Sequence, residues 1–188
     1  ISLLKKYFYK KMNIKSISTG KKVPDEVNVL IENSANALPV KYELDKESGC
    51  LFVDRFVATP MHYPCNYGFI PNTLSDDGDP IDVLVPTEYP IIPGAVIPCK
   101  PIGVLIMEDE KGMDEKVIAV PTVKMNSEYS RIDELKDLPE ILMNKIKHFF
   151  EHYKELEKGK WVKVSDFSDS KVAKQKILEA VERYNSNK

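Results

Sequence analysis

No apolar run in this chain approaches the roughly 20 residues of a membrane-spanning helix. The best of them, Gly103-Val104-Leu105-Ile106-Met107, is only strand-sized. Surplus charge is missing too: 27 basic residues face 29 acidic ones, and a net charge of -2 argues against the basic footprint of a nucleic-acid binder. Small anions stay open, because they respond to local charge. Cysteine is scarce, and Cys50, Cys65 and Cys99 form neither a CxxC pair nor a zinc spacing. All three are expected as small buried hydrophobes in a reducing compartment. There is no Walker-A loop and no nucleophile elbow, which removes the P-loop cradle and the elbow serine as candidates. The start of the chain lacks a signal-peptide core, since the apolar run at residues 1–4 is too short. Residues 1–22 are expected as a flexible basic extension, and residues 23–188 as one catalytic domain in the cytoplasm. A chain of 188 residues can bury a continuous core without staples.

What is present is organised by period. As far as Pro121 the apolar segments are short and broken by Pro, Gly and Asn, which predicts strands at 27–31, 40–44, 51–57, 81–85, 95–107 and 117–120. In Val40-Lys41-Tyr42-Glu43-Leu44, period two puts Lys41 and Glu43 on one face. Many short strands with frequent turns predict a small closed barrel or a sandwich. After Leu138 the period changes. Leu142, Ile146, Phe149, Phe150 and Tyr153 recur at helical spacing, with Pro139 before them and Gly159 after. A short strand is expected at 160–164. A C-terminal helix follows, marked by Val172, Ile177, Leu178, Val181 and Tyr184 and capped by Ser168 or Ser170. The fold class is α+β, a barrel with two packed helices.

The chemistry concentrates in Asp77-Gly78-Asp79-Pro80-Ile81-Asp82-Val83. Gly and Pro make a tight turn, and three carboxylates fall within six residues before an apolar strand. Hard oxygen donors at this density suit Mg²⁺ or Mn²⁺, which keep several waters and join phosphate oxygens. The same letters also make an ordinary solvated turn. A second acidic group, Glu108-Asp109-Glu110 with Asp114, flanks an expected hairpin at Lys111-Gly112. Lys41, Arg55 and Lys116 punctuate strands from which their charges could converge on a phosphate.

These motifs carry a resemblance. Lys41-Tyr42-Glu43, Leu51-Phe52-Val53-Asp54-Arg55-Phe56, Tyr63-Pro64-Cys65-Asn66-Tyr67-Gly68, D-G-D-P-I-D-V at 77–83 and His148-Phe149-Phe150-Glu151-His152-Tyr153-Lys154 resemble the bacterial, soluble, family I inorganic pyrophosphatases. The likeness runs from about Val27 to Val164 and implies an OB-like five-stranded β-barrel. It also implies Mg²⁺-dependent hydrolysis of pyrophosphate, a small-molecule substrate, and a homohexamer with no nucleic-acid or membrane partner. Carried over, Asp77, Asp82 and Asp114 resemble metal ligands, and Asp109 and Glu32 ligands or close partners of metals arriving with substrate. Asp79 resembles the carboxylate that takes a proton from the nucleophilic water. Lys41, Arg55, Tyr67, Tyr153, Lys116 and Lys154 resemble the phosphate-binding set, and Glu43 a supporting residue. Asn33-Ser34 after Glu32, and Pro98 and Lys100 around Cys99, depart from the family's pattern.

Three other readings compete. His148-Phe149-Phe150-Glu151-His152 matches H-x-x-E-H, a zinc metalloprotease pattern that would still need a third ligand and a cleft. A nucleic-acid-binding OB module would want stacking aromatics on a basic groove, where this chain is acidic. A hydrolase of larger phosphoanhydrides, such as nucleotides, would want a pocket for a base. On the long helix His148 and His152 fall opposite the apolar stripe, so the hexamer implied by the resemblance would place them at a subunit contact.

Overall fold

The computed structural model describes residues 14–187. Eight strands and two α-helices follow in the order β1 (Val27–Asn33), β2 (Val40–Leu44), β3 (Leu51–Phe56), β4 (Asn66–Phe69), β5 (Asp82–Val85), β6 (Val96–Asp109), β7 (Gly112–Pro121), α1 (Glu140–His152), β8 (Val162–Asp169) and α2 (Ser170–Ser186). The sheet order is β1-β4-β5-β7-β6-β8, and β6 also pairs with β1. Five strands thus close on themselves as β1-β4-β5-β7-β6, so each strand of the ring has a paired neighbour on both sides, and β8 is left as an edge. The long β6 makes closure possible: residues 96–99 pair with β1, while its far half pairs with β8. β2 and β3 form a separate hairpin. This is the expected α+β barrel with two helices.

Both faces of the barrel wall are covered, which explains the near-continuous apolar runs in its strands. Val83, Val85, Val117 and Ala119 join one core cluster with Ala173, Ile177 and Ala180 of α2. The alternate residues Leu84, Ile118 and Val120 join a second, with Ile146, Phe149 and Phe150 of α1. The period-two strands therefore position both helices, and α1 in turn carries Tyr153 and Lys154 on its C-terminal side.

Several boundaries differ from expectation. β4 has no counterpart among the expected strands, because four wholly buried residues between prolines show no alternation. Its Gly68 is required by the close crossing of β1, where an added Cβ would lie 1.9 Å from the Leu30 carbonyl oxygen. α1 stops at His152, with Tyr153 as its C-cap, and turns fill the stretch to Gly159. The strand expected at 160–164 is longer and later, Val162–Asp169. The cap of α2 is neither Ser168 nor Ser170 but Asp169, whose carboxylate accepts from the Val172 N–H at 3.0 Å. Ser170 instead donates its hydroxyl to Glu134.

Of the expected extension over 1–22, residues 1–13 lie outside the described residues. Ile14 packs against Leu30, Leu44 and Phe69, and Asn72 donates to the Ile17 carbonyl, so this stretch lies against the barrel. Among the described residues no helix is long and apolar enough to cross a membrane.

The cysteines divide. Cys65 and Cys99 are buried as expected, but Cys50, in the β2–β3 turn, is exposed. Burial pushes the Cys65 thiol up to about 12 and raises that of Cys99 as well, so neither forms a thiolate at neutral pH. A thiol reagent should accordingly label one cysteine in the native protein and none after Cys50→Ser. Fast labelling of the Cys50→Ser protein by an absorbance assay would contradict the buried placement.

Candidate active site

A cavity of about 290 Å³ opens between the β2–β3 hairpin, the barrel wall and the segment after α1. Its acidic loop is built by local chemistry. Gly78 adopts φ +89°, a left-handed conformation that a side chain would disfavour, and the Asp79 N–H donates to Asp77 Oδ1 at 3.0 Å. Pro80 then leads into β5, where Asp82 is the first residue.

Register supplies the next group. Asp82 on β5 is the direct partner of Lys116 on β7, and Asp114 lies two residues before Lys116 on the same face. The Lys116 ammonium, nearly buried, bridges both: it donates to Asp82 Oδ2 at 2.5 Å and to Asp114 Oδ1. Burial works against its charge, yet the two carboxylates win and hold its pKa well above the ordinary lysine value. Glu115, between them, points away and pairs with Lys176 of α2 at 2.7 Å.

Two β-bulges aim further carboxylates inward. On β1 the register with β4 slips between Ile31 and Asn33, leaving Glu32 as the extra residue. Burial pushes the Glu32 carboxyl up to about 8, against a 2.8 Å hydrogen bond from the Leu44 N–H. On β3 the slip opposite Lys41 and Tyr42 leaves Asp54 unpaired beside Arg55, so both reach the cavity. The departure at Asn33 has a visible use: its amide donates to the Tyr42 carbonyl at 3.0 Å and accepts from the Tyr42 N–H at 2.8 Å. That pins β2 to the barrel at the residue between Lys41 and Glu43, which pair with each other as period two predicted.

On the far wall Lys154 donates to Asp109 Oδ2 at 2.6 Å, and Lys160 binds Glu110. Burial opposes the Asp109 charge, but the Lys154 bond and the Lys111 N–H outweigh it and lower the pKa. Burial lifts Asp77, helped by Asp79 and Asp114 and opposed by the Asp79 N–H. Burial also raises both the Tyr67 and Tyr153 phenols, so each remains a protonated O–H donor at neutral pH. Asp79 stands apart on the loop, 61% exposed, and its Oδ1 lies 3.1 Å from Lys46 Nζ.

The thirteen residues that the resemblance assigned to a site line one cavity: Glu32, Lys41, Glu43, Arg55, Tyr67, Asp77, Asp79, Asp82, Asp109, Asp114, Lys116, Tyr153 and Lys154, and Glu110 joins them but Glu108 does not. Lys46, Asp54 and Lys160 line it too and were not foreseen. Asp54 lies inside the quoted motif before Arg55, but only the bulge brings it to the same side. Glu157, also unforeseen, places Oε1 3.6 Å from the Arg55 guanidinium. His148, Glu151 and His152 do not reach the cavity.

A family model for inorganic pyrophosphatases matches residues 29–185. This chain belongs to the inorganic pyrophosphatase family. The inorganic pyrophosphatase of Yersinia pestis is 58% identical over 172 residues, spanning 92% of this chain and 98% of that one. A solved inorganic pyrophosphatase from Coxiella burnetii superposes with a TM-score of 0.86 at 50% identity, covering 89% and 99% of the two chains. That of Thermus thermophilus gives 0.87 at 43% identity, covering 92% and 99%. The pyrophosphatase family match thus spans both walls of the cavity, from β1 to α2.

The donor set fits a hard divalent cation. Glu32, Asp77, Asp82, Asp109 and Asp114 offer only carboxylate oxygens to the cavity, with no histidine or cysteine in its lining. Glu110 Oε2, buried in the same wall without a hydrogen-bond partner, lies 3.6 Å from the Lys154 ammonium.

Proposed function

We propose that this member of the inorganic pyrophosphatase family hydrolyses inorganic diphosphate to two orthophosphates with Mg²⁺, or Mn²⁺ in its place, and with Asp79 as general base. One observation carries the reading. Asp77, Asp82, Asp109, Asp114 and Glu32 line a single cavity together with Lys41, Arg55, Lys116, Lys154 and two phenols, hard oxygen donors interleaved with cationic and O–H donors, a set that suits metal ions and phosphate oxygens in one site.

Asp77, Asp82 and Asp114 would hold metal, and Asp109 and Glu32 would serve ions that arrive with substrate. A divalent cation held there would supply positive charge and make water more acidic near neutral pH. Asp79 accepts the proton of the attacking water; its exposed position and its single ion pair leave an oxygen free to do so. The water oxygen forms the new bond to phosphorus as the bridging P–O bond breaks. Lys41, Arg55, Lys116 and Lys154 match the developing charge with ammonium and guanidinium donors, and Tyr67 and Tyr153 add neutral O–H donors. Glu43 holds Lys41, and Glu157 lies against Arg55. The same reading includes a homohexamer in the cytoplasm without nucleic-acid or membrane partners. Exposed Leu38, Phe52, Val53 and Phe56 on and beside the β2–β3 hairpin are an apolar surface that assembly would cover.

Phosphate release from diphosphate tests the proposal. It should vanish with a chelator, return with Mg²⁺ and fail with Ca²⁺, which takes more ligands at longer distances and misplaces the water. Activity in the chelator, or full activity with Ca²⁺ as the only divalent ion, would overturn it.

A further inference from the structure

α2 gives no side chain to the cavity lining, yet it holds two of the segments that do. The first is the acidic loop. Arg183 donates from one guanidinium nitrogen to the Leu74 carbonyl at 2.6 Å, and a second nitrogen lies 2.6 Å from Asp76 Oδ1. The Leu74 N–H donates in turn to the Ala180 carbonyl of α2 at 2.9 Å. Both backbone groups of Leu74 are thus tied to the helix, shortly before Asp77. The tie is passed along the loop, because the Ser75 N–H donates to the Asp79 carbonyl at 2.6 Å and closes the turn that presents Asp77.

The second segment is β7. Lys176 reaches Glu115 Oε1 at 2.7 Å on the outer side of the wall, where the Glu115 side chain is 8% exposed. Its neighbours Asp114 and Lys116 line the cavity on the other side, since successive side chains of a strand alternate. Lys176 and Arg183 stand about two turns apart and fall on one edge of α2, beside its buried stripe of Ala173, Ile177 and Ala180. That stripe shares a core cluster with Val83 and Val117, so the helix lies across the outside of both segments.

We propose that α2 sets the separation of Asp77 on the loop from Asp114 on β7, with Arg183 and Lys176 as positioning residues for these metal carboxylates. The inference rests on the reading of both carboxylates as metal ligands. Neither cationic side chain lines the cavity, and each acts through the segment it holds. Charge alone gives the opposite sign on removal: taking a positive group away from the neighbourhood of a cation site favours cation binding. A loss of affinity therefore reports geometry.

The test is Mn²⁺ binding to the metal-free whole protein, followed by loss of the free ion's electron paramagnetic resonance signal without any diphosphate. Arg183→Met should bind Mn²⁺ about 10-fold more weakly, the low end of the range for losing a support behind a metal ligand. Lys176→Met should weaken binding as well. Ser170→Ala loses the bond to Glu134 and loosens the same helix at its far end, and it should bind as the wild type does. Unchanged or tighter binding in Arg183→Met would overturn the proposal, and in Lys176→Met the part of it that concerns β7. An equal loss in Ser170→Ala would overturn it too, because general loosening of α2 would then weaken the site. A wild type that binds Mn²⁺ but releases no phosphate from diphosphate would sink the diphosphate reading and leave this inference standing. A wild type that binds no Mn²⁺ would sink the metal reading and this inference with it.

Discussion

Replacing Asp79 by asparagine is expected to lower turnover by about 10²–10⁴-fold, the range for a missing general base, without unfolding the protein. The structure separates the two effects. Asp79 is 61% exposed on a loop, and its partner Lys46 is 49% exposed, so the ion pair contributes at most about 1 kcal/mol to stability. Asparagine keeps the shape of the side chain and the backbone N–H that the loop donates to Asp77. Steady-state kinetics with saturating Mg²⁺, beside thermal melting, would show a large loss in kcat and almost none in Tm. Lys46→Ala is the control, because it removes the pair but leaves the base, and it should retain most of the activity. Near wild-type turnover in Asp79→Asn would remove Asp79 from the mechanism.

Lys116→Met should have the largest effect on stability. Its ammonium is 5% exposed and lies between Asp82 and Asp114, themselves 25% and 15% exposed. Methionine preserves most of the stem but leaves two carboxylates facing each other without their cation. Breaking a buried ion pair from one side typically costs about 3–5 kcal/mol. The loss should appear by denaturant unfolding in a chelator and shrink in Mg²⁺, because a divalent ion can replace the missing positive charge between the same carboxylates. Activity should fall as well, since the ammonium is also assigned to phosphate. An equal stability loss with and without Mg²⁺ would mean that packing of the lysine stem, rather than its charge, holds this part of the wall.

Local rules made part of this protein legible in advance. Turn chemistry at Gly78 and Pro80 marked the carboxylate loop, and alternation in β2 placed Lys41 beside Glu43. Helical spacing marked the buried stripe of Ile146, Phe149 and Phe150. In each case the deciding interactions join residues within a few positions of one another, so the period of the chain reports them directly. The exposed Cys50 and the Asp169 cap show the limit of such rules, because each turns on how a short segment meets its neighbours.

The cavity itself was decided by tertiary structure. Lys154 meets Asp109 across 45 positions of sequence, and Lys116 meets Asp82 across 34. β4 is a strand because β1 and β5 flank it, not because its own four residues alternate. The bulges that turn Glu32 and Asp54 inward exist only once β1 is in register with β4 and β2 with β3. Residue type and short-range spacing marked the loop from Asp77 to Asp82, the group at 108–110 with Asp114, and Lys41, Arg55 and Lys116 as able to do phosphate and metal chemistry, whereas Glu32 and Tyr67 were reached only through the resemblance to the family. Closing the barrel determined where those residues stand, because strand register is set by contacts between segments far apart in the chain, and a slip of one residue reverses the face of every side chain.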